Sequence, residues 1–348
     1  MQWTSTQQRR NQRQHLLRTL ANLLSSGLSL TDSLSLLARS HGGTFATQIL
    51  QFADAIQNGA RIAEAATQAD WPLTKGQRIA LEQAERSGRL SDTMQLLADS
   101  DQRLARITEQ AWGAARYPLA IGCLSLVIMA GLLIGIVPQF EALYARFQAD
   151  LPLATQGLLV VSRLLSQWGG LLLILIATLW FGGHRIYRRS ESLRLLWHRC
   201  LNRLPVIGAL RIQLAGLAFS EGMHLYLSAG LALPNALRYS AELIDNSPIQ
   251  RQLHAFATGI DQGRIDQNQL TGVTFPDSTI GLWQLGMEAG GLPRYLRMNS
   301  QHLEAQLDRQ LTGLTSLLEP LLMASLGLFV GGFMLALYQP MFTLGALS

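Results

Sequence analysis

An all-α integral membrane protein, with two tandem cytosolic six-helix-type bundles and three transmembrane helices, is the fold class that three features of this sequence predict. Charge-free apolar runs long enough to cross a bilayer recur along the chain, the stretches between them carry helical apolar spacing, and a domain followed by a span occurs twice at a nearly constant offset. Composition agrees, since the chain is 48% hydrophobic and 15% charged, whereas soluble domains carry roughly 25% charged residues.

Residues 1–116 form the first expected helical domain. Met1 to Gln14 is polar, carries Arg9, Arg10 and Arg13, and has no apolar run of the kind a cleaved signal peptide needs, so the N-terminus is expected to be cytoplasmic. Leu16, Leu17, Leu20, Leu23 and Leu24 follow an i, i+3, i+4, i+7 pattern, with Gly27 placed as a helix C-terminal glycine. Thr74 with Gln77 has capping-box spacing, and Gly88 precedes a long helical stretch from Leu90 to Arg116. Nothing here reads as strand.

A first transmembrane helix is expected over 117–139, where Pro118 to Pro138 contains no ionisable residue. Twenty steps at ~1.5 Å each give roughly 30 Å, one hydrocarbon thickness. A periplasmic connection, 140–166, carries Glu141, Arg146, Asp150 and Arg163 with no net charge. A second span, 167–187, is apolar until His184 and has Trp168, Trp180 and Tyr187 near its ends, where interfacial aromatics are favoured. The second helical domain, 188–318, again shows helix signals, including Ser247 with Gln250 at capping-box spacing and Pro248 suited to a first turn. The third span, 319–340, and a periplasmic tail, 341–348, complete the chain.

Of 28 Lys and Arg residues, 13 precede Pro118, two lie between the first and second spans, and 13 lie from Arg185 to Arg309. The positive-inside rule therefore places both domains in the cytoplasm and the C-terminus on the opposite, periplasmic side. The net charge of +5 is thus topological, and it excludes a nucleic-acid role, which needs a concentrated basic surface.

The duplication is explicit. LSSGLSLTDSL at Leu24–Leu34 aligns with LSAGLALPNAL at Leu227–Leu237; Gly59 falls on Gly263, Trp71-Pro72 on Phe275-Pro276, Glu85 on Glu288, Gly88 on Gly291, and Pro118 and Pro138 on Pro320 and Pro340, all at offsets of 202 to 204. The second span has no counterpart. It returns the chain so that both copies face one side.

Catalytic and metal-binding patterns are absent. There is no phosphate loop, no H-E-x-x-H, no G-x-S-x-G and no cysteine pair at metal spacing, and the seven histidines are scattered singly. The two cysteines make no disulfide framework. The spans lack the ionisable residues that ion translocators need, which argues against a transporter. No catalytic, cofactor or metal residue is therefore assigned. The polar features of interest are the turn at Glu85, Ser87 and Gly88 and its partner at Glu288 and Gly291. The plainer reading of each is a helix ending at a left-handed glycine, with the glutamate and serine hydrogen-bonding across the turn; the alternative is a partner-binding or ion-binding role. Pro118 and Pro320 read as helix starts, Pro138 and Pro340 as ends or kinks.

Taken together, these features resemble the type II secretion system F family, which includes inner-membrane platform proteins of type IV pili. Ala84-Glu85-Arg86-Ser87-Gly88-Arg89-Leu90 matches the family turn G-E-x-[ST]-G-x-L except at Ala84, and the first-span signature is met by Tyr117-Pro118, Ile121, Ser125, Leu132 and Ile136-Val137-Pro138. The second turn departs from it, with Gly290 where Ser or Thr is usual and Pro293 where Leu is usual. The resemblance implies a non-enzymatic, cofactor-free platform that touches a secretion or pilus-assembly ATPase and pilin or pseudopilin. It also implies other inner-membrane assembly proteins as partners, a lipid bilayer around the spans, and homo-oligomers. Gly122, Gly131, Gly135, Gly327, Gly331 and Gly332 would permit close contact with apolar pilin helices or among the protein's own spans. A small membrane transporter, a membrane-anchored scaffold of another system and a membrane-anchored enzyme are the competing readings.

Overall fold

The computed structural model describes residues 2–40, 42–139, 157, 159–171, 175, 178, 204–264, 270 and 272–345, and among these every regular element is helical. The first copy comprises α1 (Gln2–Ser25), α2 (Leu30–Ser40), α3 (Gly43–Gln57), α4 (Ile62–Gln68), α5 (Lys75–Arg86) and α6 (Leu90–Gly131), the last running into a π-helical turn, Leu132–Ile136. The second comprises α7 (Pro205–Ser228), α8 (Leu233–Glu242), α9 (Ser247–Asp261), α10 (Asp277–Ala289) and α11 (Leu292–Gly345).

The repeat is visible in the backbone. Helices α1 and α7 have 24 residues each, and α3 and α9 have 15 each. Left-handed glycines follow matching helices: Gly27 (φ 86°) and Gly230 (87°), Gly59 (86°) and Gly263 (76°), Gly88 (68°) and Gly291 (74°). The region corresponding to α4 falls at 266–272, of which only 270 and 272 are among the described residues.

The chain forms two compact units, one of Met1–Thr108 with Leu195–Leu307 and one of Glu109–Arg194 with Asp308–Ser348. The two soluble stretches, read from sequence as tandem bundles, therefore share one unit and one core. Sequence explains the sharing. Helix α1 is two-faced, burying Leu16, Leu17, Leu20 and Ala21 while Arg18, Asn22 and Ser25 are exposed. Helix α7 carries apolar residues on every side and is buried from Ala215 to Tyr226 apart from the half-buried His224, with Leu217, Phe219, Met223, Leu225 and Tyr226 in the core, whereas Val206 and Ile207 in its first turn are exposed. Phe219 packs at a tilt, within its own copy, against Phe275 (ring centroids 4.7 Å apart) and Trp283 (5.9 Å). Tyr226 projects into the first copy, over Gly76, and its hydroxyl pairs with the Thr74 side chain while burial pushes its pKa up.

The Thr74–Gln77 capping box forms as expected: Thr74 Oγ1 accepts from Gln77 N (3.3 Å), and Gln77 Oε1 accepts from Thr74 N (3.0 Å). The Ser247–Gln250 spacing does not make one. Asn246 is the N-cap of α9, and the Gln250 amide donates instead to the Ile244 carbonyl (2.6 Å). Pro248 does occupy the first turn. Arg13 on α1 makes a two-pronged ion pair with Asp101 on α6 (3.0 and 2.7 Å), tying the first and last helices of copy one.

In the second unit, the helices α6 and α11 expose long apolar faces, with Leu119, Leu124 and Leu126 on one and Leu321, Leu328 and Leu335 on the other. The stretch Arg116–Gln139 and the helix Leu292–Leu335 are long and apolar enough to cross a membrane, and little of the most apolar part of either is buried. Leu133, Val137, Leu159 and Phe333 form a buried cluster beside the π-helical turn. There the Ser162 hydroxyl donates to the Leu133 carbonyl (2.6 Å), an internal partner of the kind backbone groups need away from water. Helix 159–171 runs across the boundary at 166/167 that was drawn between the periplasmic connection and the second span; 140–156 and most of 172–187 lie outside the described residues.

Candidate functional site

The first glutamate turn closes α5. Ser87 is its C-cap, with backbone bonds from Ser87 N to Gln83 O (3.1 Å), Gly88 N to Glu85 O (3.3 Å) and Arg89 N to Ala84 O (2.9 Å). The Ser87 hydroxyl donates to Ala84 O (3.3 Å), as the sequence predicts. Glu85 does something else. Its Oε2 accepts from the backbone N–H of Ile62 at the start of α4 (3.2 Å), where a carboxylate satisfies an orphan donor and meets the positive end of the helix.

The second turn is built differently. Glu288 is exposed, and no hydrogen bond or ion pair ties it to a described residue. Gly290, at φ 74° and ψ 168°, and Gly291, at φ 74°, are consecutive positive-φ residues, whereas Ser87 sits at φ −92°. The backbone at Gly290 is essentially restricted to glycine, which accounts for the missing Ser or Thr. Gly290→Ser is expected to cost about 1–3 kcal/mol, read as a fall in the melting temperature of the purified protein. Ser87→Gly, which introduces no forbidden backbone, should lower it far less.

Pro118 and Pro320 do not start helices. Pro118 lies within α6 and Pro320 within α11, so the helices of both domains continue unbroken into the apolar stretches, and the expected boundaries at 116/117 and 318/319 fall inside helices. Each proline removes one backbone hydrogen bond, which neither long helix needs in order to continue. Pro138 comes one residue after the π-helical turn, whose C-cap, Val137, bonds Leu132 O through its N–H; a proline that cannot donate favours such a ladder defect. Pro340 sits within α11, which runs on to Gly345.

Tyr117 and Glu319 meet: the phenol donates to Glu319 Oε1 (3.3 Å). They are equivalent positions of the two copies, each just before its proline, and Gly122 faces Leu322 on the same side. Two copies of one helix thus lie face to face. Glu319 escaped sequence reasoning because it stands one residue outside the charge-free run; its alignment with Tyr117 was the available signal.

A second cluster was also missed. Glu221 on α7 is fully buried and carries its charge between Arg297 Nη1 (3.4 Å) and Arg103 Nε (3.7 Å), with the Ser300 hydroxyl donating to the same Oε1. Its Oε2 and Arg103 Nε have no hydrogen-bond partner among the described residues. His224, one turn along, bonds the Pro293 carbonyl (2.9 Å), and burial holds its pKa down. Only the all-round apolar pattern of α7, interrupted by one carboxylate, marked this place in the sequence.

Among the described residues, no group of three or more His, Cys, Asp or Glu side chains could hold a metal ion. The geometry defines a class: among the described residues, a helical protein with a duplicated unit and two helices long and apolar enough to cross a membrane. The family model described as type II secretion system (T2SS), protein F, matches the chain twice, over residues 16–138 and 219–340, in step with the structural repeat. The chain belongs to that family. It is 31% identical over 336 residues to the type 4 fimbrial assembly protein PilC of Pseudomonas putida, covering 95% of this chain and 83% of that one. It is 29% identical over 332 residues to the type IV pilus assembly protein TapC of Aeromonas hydrophila (95% and 80%). It is 25% identical over 332 residues to the type II secretion system protein F of Pseudomonas aeruginosa (95% and 82%).

Proposed function

We propose that the protein is the non-enzymatic inner-membrane platform of a type IV pilus or type II secretion machine, coupling a cytosolic ATPase to the assembly of pilin or pseudopilin subunits. The observation that carries this reading is the double match to the protein F family in a chain whose relatives are named for pilus assembly and type II secretion. One compact helical unit, with two helices that run on as exposed apolar stretches, suits a part that receives a push on one side and contacts membrane-embedded subunits on the other. Purified protein is expected to capture its cognate ATPase and pilin, and a deletion strain to lose fibres or secretion. Failure of both would sink the reading.

In this reading three spans cross the inner membrane, at 117–139, 167–187 and 319–340, with the N-terminus cytoplasmic and the C-terminus periplasmic. In a protein freed of its native cysteines, Asp150→Cys should react with an impermeant thiol reagent added to the periplasmic side, and Arg189→Cys only after the membrane is opened. Equal labelling of the two would contradict the topology.

The two glutamate turns have separate tasks. Glu85 holds the start of α4, whereas Glu288 presents a carboxylate tied to no described residue and is the better contact for a partner. Glu85→Ala should cost about 0.5–2 kcal/mol, the range of a lost helix cap, and Glu288→Ala should leave the melting temperature alone while reducing fibre assembly. The same phenotype from both variants, at matched protein levels, would remove the distinction.

A further inference from the structure

Helices α6 and α11 carry the two copies' apolar stretches, and inside the first unit both are fastened to one side chain. Arg103 comes from α6, Arg297 and Ser300 come from α11, and all three converge on Oε1 of Glu221, which α7 holds fully buried. Among the described residues the first copy has no such convergence. Arg18, the residue equivalent to Glu221, is an exposed cation that pairs at 2.6 Å with Asp99 on α6 of its own copy alone. The apolar layer beside the cluster, Ile107 with Leu217, Leu303 and Leu307, adds cohesion but little register, because apolar burial is non-directional. An ion pair is less forgiving: sliding α6 by one turn, ~5.4 Å, would carry Arg103 out of reach of the carboxylate.

We propose that Glu221 is the pin of a two-armed clamp that keeps α6 and α11 from sliding independently, so that displacement of either copy is shared by both membrane-directed helices. The side chains suit a device that holds position rather than one that merely adds stability. A single carboxylate faces two guanidinium groups, one oxygen takes every contact, and the other is left without a partner among the described residues. The Arg103 arm is the weaker one, an ion pair at 3.7 Å without a hydrogen bond, and it is the only arm that crosses between the copies. Releasing it removes the ion pair that ties α6 to Glu221 while leaving the Arg297 and Ser300 arm in place.

The clamp does not depend on what the platform assembles, and its test reads helix positions only. In full-length protein with Cys123 and Cys200 replaced by serine, nitroxides at the exposed positions Thr108 on α6 and Ala305 on α11 report the distance between the helices by double electron–electron resonance in nanodiscs. Arg103→Met should about double the width of the distance distribution, as expected of a helix freed to shift by ~1–2 Å. Arg103→Lys, which keeps the charge, should stay near the parent, and Arg18→Met should leave the width unchanged. A distribution in Arg103→Met that superimposes on the parent overturns the clamp. Should that variant fail to fold, Glu221→Gln is read in its place, with the same two outcomes.

Discussion

Glu221→Ala is expected to be the most damaging single substitution, removing about 3–5 kcal/mol of stability. The carboxylate is wholly buried, and its partners Arg103 and Arg297 keep 18% and 28% of their side-chain surface exposed. Truncation would leave two half-buried cations facing one another with no anion between them. Breaking one side of a buried ion pair costs far more than the pair contributes, because the desolvated charges that remain lose their compensation. Arg18→Ala, which removes the exposed ion pair at the equivalent place in the first copy, should cost only about 0–1 kcal/mol. Chemical denaturation of the two variants in the same detergent measures the contrast; a Glu221→Ala protein as stable as Arg18→Ala would show that the cluster holds nothing.

The second large effect is expected at Gly76, on the first turn of α5. A Cβ there would lie 2.5 Å from Tyr226 Oη, 2.8 Å from its Cζ and 2.8 Å from Tyr239 Cβ. Those atoms belong to the second copy, so Gly76→Ala strains the seam between copies rather than the interior of one. Overpacking of this kind costs typically 1–3 kcal/mol, and Gly76→Val should exceed Gly76→Ala. Tyr226→Leu removes the two Tyr226 contacts but not the Tyr239 Cβ, so in a double-mutant cycle it should recover part of the loss. Strictly additive penalties would mean that the two side chains do not meet. Gly222, whose Cβ would lie 2.8 Å from both Leu243 Cδ1 and Ser240 Oγ, provides a comparison within one copy.

Local signals were legible in the sequence and distant ones were not. The apolar spacing of Leu16, Leu17 and Leu20, the Thr74–Gln77 box and the glycines at 27, 59 and 88 act over one or two turns, and the structure contains each of them. The duplication was legible because it needs only a constant offset. The prolines were misread for a physical reason: one missing hydrogen bond marks a boundary only when the flanking segments do not both favour helix, and around Pro118 and Pro320 they do. Ser247 was misread because one residue of register separates a cap from a first turn. The convergence of Arg103, Glu221 and Arg297 joins residues more than seventy positions apart at the nearest, and no periodicity encodes it. The glutamate turn reads as a unit in sequence, yet of the two side chains only that of Ser87 bonds within it, while that of Glu85 reaches α4.

The contrast between α1 and α7 bears on how the two copies can change over time. Helix α1 has a wet side, and substitutions at Arg18, Asn22 or Ser25 meet solvent. Helix α7 has almost no position from Ala215 to Tyr226 where a new side chain would find empty space. Inherited variation is therefore expected to accumulate on the wet side of α1, and least from Ala215 to Tyr226 of α7.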